Sequence, residues 1–152
     1  MKLRVERCDG DGEVVIYCDG ENDTVRRVRA AVERILSEEG ETVLTLGDTE
    51  YYVPKRDLIF FETYDGKVTA HTRDRMYYTG MTLQSLEKTL PHCFVRASKS
   101  CIVNVYAVCA LSKNITGIGE VLFRGTDKKV YVSRGYYKDL KQKLYELRAL
   151  EK

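Results

Sequence analysis

In residues 2–8, KLRVERC, Leu3 and Val5 alternate with charged neighbours, and a second apolar run, EVVIYC at 13–18, follows across Asp9-Gly10-Asp11-Gly12. A period of two on either side of a glycine-rich turn predicts two short strands. The period then changes. Val25, Val28, Val32, Ile35 and Leu36 recur at helical spacing behind Asn22, Asp23 and Thr24, each of which can cap a helix, and Gly40 closes the segment. Arg26, Arg27, Arg29 and Arg34 lie mostly off that stripe, with Glu33, Glu38 and Glu39 nearby, as on a solvated amphipathic helix.

From Thr42 the pattern is that of short strands. TVLTL (42–46) and EYYVP (50–54) flank Gly47-Asp48-Thr49. DLIFFETY (57–64) runs into Asp65-Gly66, a strong hairpin signal, and KVTAHTR (67–73) returns before MYYTG (76–80). One short helix interrupts: Thr82 caps it, Leu83, Leu86 and Leu90 form its apolar face, and Pro91 stops it. Strands resume with FVRASKSCIVN (94–104), AVCALSK (107–113), GEVLFRG (119–125) and KKVYVS (128–133). The last segment is helical, with Tyr137, Leu140, Leu144 and Leu147 on one face and Lys138, Lys141, Lys143 and Arg148 around the rest. The expected fold class is α+β, mostly β, with a strand-strand-helix appendage over 1–40 and a main domain over 41–152.

Composition narrows the class. The 152 residues are 43% hydrophobic and 32% charged, ordinary for a globular chain able to bury a core. No apolar run is long enough for a bilayer, and the charged opening MKLRVER is unlike a secretion signal, so a cytoplasmic protein is expected. The five cysteines are odd in number and form no CxxC pair, which argues for reduced thiols and against a structural metal site; no cofactor is expected. The net charge of +2 conceals an asymmetry. Residues 96–152 hold twelve Lys and Arg against five Asp and Glu, whereas residues 1–95 hold thirteen against eighteen. A basic third on a nearly neutral chain points to a nucleic acid or another anionic surface, or to a solvated face.

The stretch FVRASKSCIVN concentrates that chemistry. Two cations and two hydroxyls, Arg96, Ser98, Lys99 and Ser100, stand between short apolar runs, and cations and hydroxyls both satisfy phosphate oxygens. Lys99 suits phosphate or the major-groove acceptors of guanine, or is a solvated turn lysine. Arg96 alternates in a strand, where a salt bridge and a phosphate contact fit equally. Asn104 closes a turn by bonding its own backbone. Arg134 follows the capping residue Ser133, where a cation opposes the helix dipole at a cost of roughly 0.3–1 kcal/mol. Its forked guanidinium can read guanine, or can pair with an acid. There is no P-loop, dinucleotide fingerprint, HExxH or GxSxG motif, and Cys101 near His92 matches no nucleophile spacing, so an enzyme is not expected.

The order of these segments resembles the LytTR family of bacterial DNA-binding domains. The resemblance rests on Tyr52-Val53, on DLIFFE at 57–62, on Ser85-Leu86-Glu87 with Leu90-Pro91, on FVRASKSCIVN, and on Val132-Ser133-Arg134, and covers about residues 42–150. Many members carry histidine where this chain has Ser98. The family implies small antiparallel sheets, an elongated outline, and loops rather than a recognition helix in successive major grooves. Its contact regions fall near Lys67, on Lys99 and Ser100, and on Arg134. With Arg96, Ser98 and Lys138 these make the expected DNA-facing set.

The expectation is a sequence-specific regulator of transcription on double-stranded DNA, acting as a homodimer on promoter direct repeats. Residues 1–40 are too short for the phosphorylatable receiver of many relatives. They are expected instead to form a dimer or partner surface, with a small membrane protein as one conceivable regulator. The alternative is a protein–protein interaction module on the same fold.

Overall fold

The computed structural model describes residues 1–150. Helix α1 spans Asp23–Glu38, and the Asn22 side-chain oxygen accepts from the Val25 amide at 3.0 Å, satisfying one orphan donor of the first turn. Val25 and Ala30 are buried and Val28 and Val32 half-buried, but Ile35 and Leu36 remain 61% and 58% exposed. The stripe is therefore covered only in part by the chain's own residues.

The two strands expected over 2–8 and 13–18 do not form. Neither segment joins a sheet, and Leu3, Val5 and Tyr17 are almost wholly exposed. The reason is physical: a lone two-stranded hairpin with nothing on its apolar face buries too little to offset the cost of ordering it.

Ten strands follow: β1 Glu41–Leu46, β2 Thr49–Pro54, β3 Phe60–Tyr64, β4 Lys67–His71, β5 Met76–Tyr78, β6 Phe94–Ser98, β7 Cys101–Asn104, β8 Val108–Lys113, β9 Gly119–Phe123 and β10 Lys129–Val132. Helix α2, Leu83–Thr89, lies between β5 and β6, and α3, Arg134–Leu147, ends the fold. All pairings are antiparallel. One sheet runs β2-β1-β5-β4-β3-β7-β6 and the other β10-β9-β8. The β1–β2 hairpin joins the larger sheet through one pair, Thr45 with Tyr78. The Asp65-Gly66 signal is realised as a two-residue turn with φ of 51° and 73°, the left-handed pair that matches strand twist, and Tyr64 pairs with Lys67.

Both sheets share a core with α2 and α3. Phe61, Leu58, Ile102, Val121 and Leu140 are among its fully buried members. Asn104 is buried within it: its side-chain oxygen accepts from the Tyr106 amide at 3.1 Å, the expected turn closure, and its amide donates to Leu58 C=O at 2.9 Å.

A polar chain ties the sheets together. Lys128 Nζ donates to the carbonyls of Thr72 and Arg75 at 3.0 and 2.7 Å and to His71 Nδ1 at 3.3 Å. Lysine only donates, so Nδ1 is the acceptor and Nε2 carries the proton. Nε2 then donates to Thr69 Oγ1 at 3.1 Å, and that hydroxyl donates to Glu62 C=O at 2.9 Å. The imidazole also stacks on Phe60, with centroids 4.1 Å apart. Burial, then the Lys128 charge, lowers the His71 pKa to about 4.

Candidate nucleic-acid interface

Strands β6 and β7 close tightly. Ser98 pairs with Cys101, so Lys99 and Ser100 form the two-residue turn, and a bulge falls between Arg96 and Ser98. Ser98 Oγ accepts from the Ser100 amide at 3.2 Å, and the Thr63 amide of β3 donates to Ser100 C=O at 2.9 Å. Arg96 holds the turn from inside. Its Nη1 donates to Lys99 C=O at 2.6 Å and to Ser98 C=O at 3.4 Å, while Nε donates to Glu87 of α2 at 3.0 Å. The guanidinium is thus engaged within the fold, and the Arg96 side chain is only 18% exposed. Lys99 and Ser100 point outward and are exposed.

The second loop is fastened to the first. The Ser133 amide donates to Ala97 C=O at 3.0 Å, which sets the start of α3 beside the RASKS turn. Ser133 is the N-cap by position, but its side chain makes no capping hydrogen bond. Arg134 follows and is exposed. Its aliphatic stem lies against Gly117 in the β8–β9 loop, where a Cβ would sit 3.1 Å from Arg134 Cγ and Cδ. Gly117 also has φ +89°, the left-handed region that favours glycine.

These contacts build a cleft of about 440 Å³ lined by Ser98, Ser100, Ser133 and Arg134, with Glu62, Ile118 and Tyr131 completing the walls. Three segments far apart in sequence, at Glu62, at Ser98 and Ser100, and at Ser133 and Arg134, meet because β3, β7 and β6 are neighbours and α3 begins beside β6. Lys67, Arg96, Lys99 and Lys138 do not line the cleft. Lys67 follows the Asp65-Gly66 turn with Nζ 5.6 Å from the Tyr78 ring centroid. Lys138 is exposed on α3, one turn beyond Arg134.

In the sequence Glu62 is only an acid near the Asp65-Gly66 turn, with no role assigned. The register shows otherwise, since Glu62 sits opposite Cys101 and Thr69 in mid-sheet, half-buried, with its pKa raised by that burial. Tyr131 was legible, as it alternates outward between buried Val130 and Val132. Ile118 reaches the cleft only through the fold of its loop. Cys101 is buried in β7, and burial holds its thiol far above the ordinary range, as befits an inert strand cysteine.

The basic third serves two purposes. Besides Arg96 and Lys128, Arg124 Nη1 donates to Tyr106 C=O at 3.0 Å and Arg148 Nη1 to Val108 C=O at 2.7 Å. These four cations fasten backbone carbonyls inside the fold. No group of side chains able to hold a metal ion occurs among the described residues.

The sequence profile of the LytTr DNA-binding domain matches residues 48–145, well over half of the chain. The chain belongs to the LytTR family of DNA-binding domains. A solved LytTr DNA-binding domain of a methyl-accepting/DNA response regulator from Bacillus cereus superimposes with a TM-score of 0.65 and 23% identity, over 70% of this chain and 97% of that one, a likeness of fold. Among curated proteins, an HTH-type transcriptional regulator of Staphylococcus aureus strain bovine RF122 is 29% identical, over 95% of this chain and 97% of its own. Its counterpart in strain NCTC 8325 is 28% identical over the same shares. That coverage takes in most of the N-terminal segment, which the LytTR profile does not. Those names refer to a helix-turn-helix, yet among the described residues of this LytTR chain five strands separate α1 from α2 and five more separate α2 from α3.

Proposed function

We propose that this LytTR chain is a sequence-specific, double-stranded DNA-binding regulator of transcription whose loops, rather than a recognition helix, enter the major groove. The convergence of the RASKS turn and Arg134 on one cleft, joined by the Ser133–Ala97 hydrogen bond, carries the reading. Both side-chain anchors leave a rigid base, so little ordering cost falls on binding. Lys99 neutralises phosphate, Ser98 and Ser100 supply hydroxyl donors, and Arg134 reads guanine bidentately. Lys67 and Lys138 are outlying phosphate contacts on either side. Arg96 acts as a positioning residue that shapes the turn carrying Lys99. Glu62 keeps phosphate out of the cleft and so leaves it to base edges and side chains. Two copies on direct repeats would double the contact, with the N-terminal segment as the self-association surface.

Selection of bound sequences from random duplex DNA, followed by binding isotherms, tests the proposal. Arg134→Ala should cost about 1–3 kcal/mol on the selected site and relax preference at one position. Lys99→Ala should weaken all duplexes about equally and reduce the dependence on salt. Failure of the parent protein to bind any duplex in the pool would overturn the reading. Two alanine variants that bind like the parent while folded would overturn the site.

A further inference from the structure

Ile115 is an isoleucine held wholly in solvent, with a relative exposure of 105%. Single exposed apolar residues are common on protein surfaces. This one differs in how it is held and where it stands.

The loop that carries it is braced from within. Asn114 Oδ1 accepts from the Thr116 amide at 3.0 Å, from the Thr116 hydroxyl at 2.6 Å and from the Ile118 amide at 3.1 Å. The Asn114 amide donates to Ile118 C=O at 2.9 Å, and the Gly117 amide to Asn114 C=O at 3.1 Å. With Asn114 and Ile118 bonded to each other, Ile115 has no freedom to fold back onto the protein. Two residues on, Gly117 lies against the Arg134 stem, and Ile118 forms part of the cleft wall. The fold therefore presents an exposed aliphatic group on a braced loop whose Gly117 touches the stem of the arginine assigned to base reading.

We propose that Ile115 is a specificity-determining residue that packs on the 5-methyl group of a thymine in the major groove beside the base read by Arg134. The assignment rests on the DNA-binding function proposed above. An aliphatic side chain cannot bond phosphate or a polar base edge, and thymine's methyl is the apolar feature of the major-groove surface. Reach sets the place. Ile115 and Gly117 are two residues apart, at most about 7 Å of chain. At about 3.4 Å per base-pair step, and with both side chains adding to the reach, the methyl lies within a few base pairs of the Arg134 base.

The test removes the methyl alone. Each thymine of the selected duplex is replaced in turn by deoxyuridine, and binding is measured for the parent, Ile115→Ala and Arg134→Ala. One position, within a few base pairs of the base whose preference Arg134→Ala relaxes, should lose roughly three- to fivefold in parent affinity, the scale of one buried methyl group. Ile115→Ala should bind thymine and deoxyuridine duplexes equally at that position, with its thermal midpoint unchanged, while Arg134→Ala should keep the methyl effect. Binding by the parent with no methyl-sensitive position overturns the assignment alone, as does the same sensitivity in Ile115→Ala; a side chain wedged into the minor groove would give the first of these results. Absence of parent binding to any duplex overturns the DNA function and this assignment with it.

Discussion

Arg96 sits in the middle of the most DNA-like stretch of the chain, yet its guanidinium is aimed at Glu87 and at the carbonyls of Ser98 and Lys99. A charge that fastens a turn and a charge that meets phosphate leave different traces when removed. Arg96→Ala should lower stability by about 1–2 kcal/mol, because charge-assisted hydrogen bonds are lost. It should weaken every duplex while leaving the salt slope unchanged; a slope shallower by about 0.9 would instead mark a phosphate contact. His71 offers a second residue-scale test. Its folded pKa is depressed to about 4 by burial and by Lys128. Between pH 6.5 and 4 the unfolded chain takes up a proton that the folded chain refuses, so stability should fall as pH falls through that window and level off below it. The full shift corresponds to about 3 kcal/mol, reduced to about 1–2 kcal/mol for a half-exposed ring screened by solvent. Urea unfolding of the parent and of His71→Gln at pH 7 and pH 4.5 checks the sign. The difference between the two proteins should shrink toward the acid end, and a constant difference would show that the ring is not protected.

At the scale of elements, the N-terminal segment is the place where pattern and structure part. Residues 2–8 and 13–18 have the alternation of strands, and α1 has an apolar stripe, but the first stay unpaired and exposed and the second leaves Ile35 and Leu36 open. Apolar surface of this kind is covered when a partner supplies the missing face. Val25 and Ala30 are buried, so α1 is part of the folded body, whereas nothing of residues 1–15 is buried. Deleting residues 1–15 should therefore leave the thermal midpoint nearly unchanged while weakening self-association. Sedimentation of both forms decides it: a truncated protein that still dimerises with the same constant places the dimer surface elsewhere, and a full chain that is monomeric at working concentration overturns the self-association.

For the whole molecule the question is how many of the basic residues reach the nucleic acid. Arg96, Arg124, Lys128 and Arg148 are committed to carbonyls within the fold. Lys67, Lys99, Arg134 and Lys138, all exposed, are the expected contacts. With about −0.9 per phosphate on B-DNA, three to four contacts per chain give a log–log salt slope of roughly −3 to −4. Titrations between 50 and 200 mM salt measure it, and a slope near −7 per chain would show that the carbonyl-bound cations are released to DNA on binding.

The sequence by itself determined the elements from Thr42 onward, the Asp65-Gly66 turn, the cap at Thr82, and the family. All of these are local: periodicity, turn chemistry and motif spacing are written within a few residues of where they act. The tertiary structure decided what depends on neighbours distant in the chain. It set β3 beside β7, so that Glu62 shares a cleft with Ser98, Ser100 and Arg134. It turned Arg96 inward and left Ile115 outward on its braced loop. It withheld the strands expected before residue 20, because alternation states which face a strand would bury and not whether anything is there to bury it against.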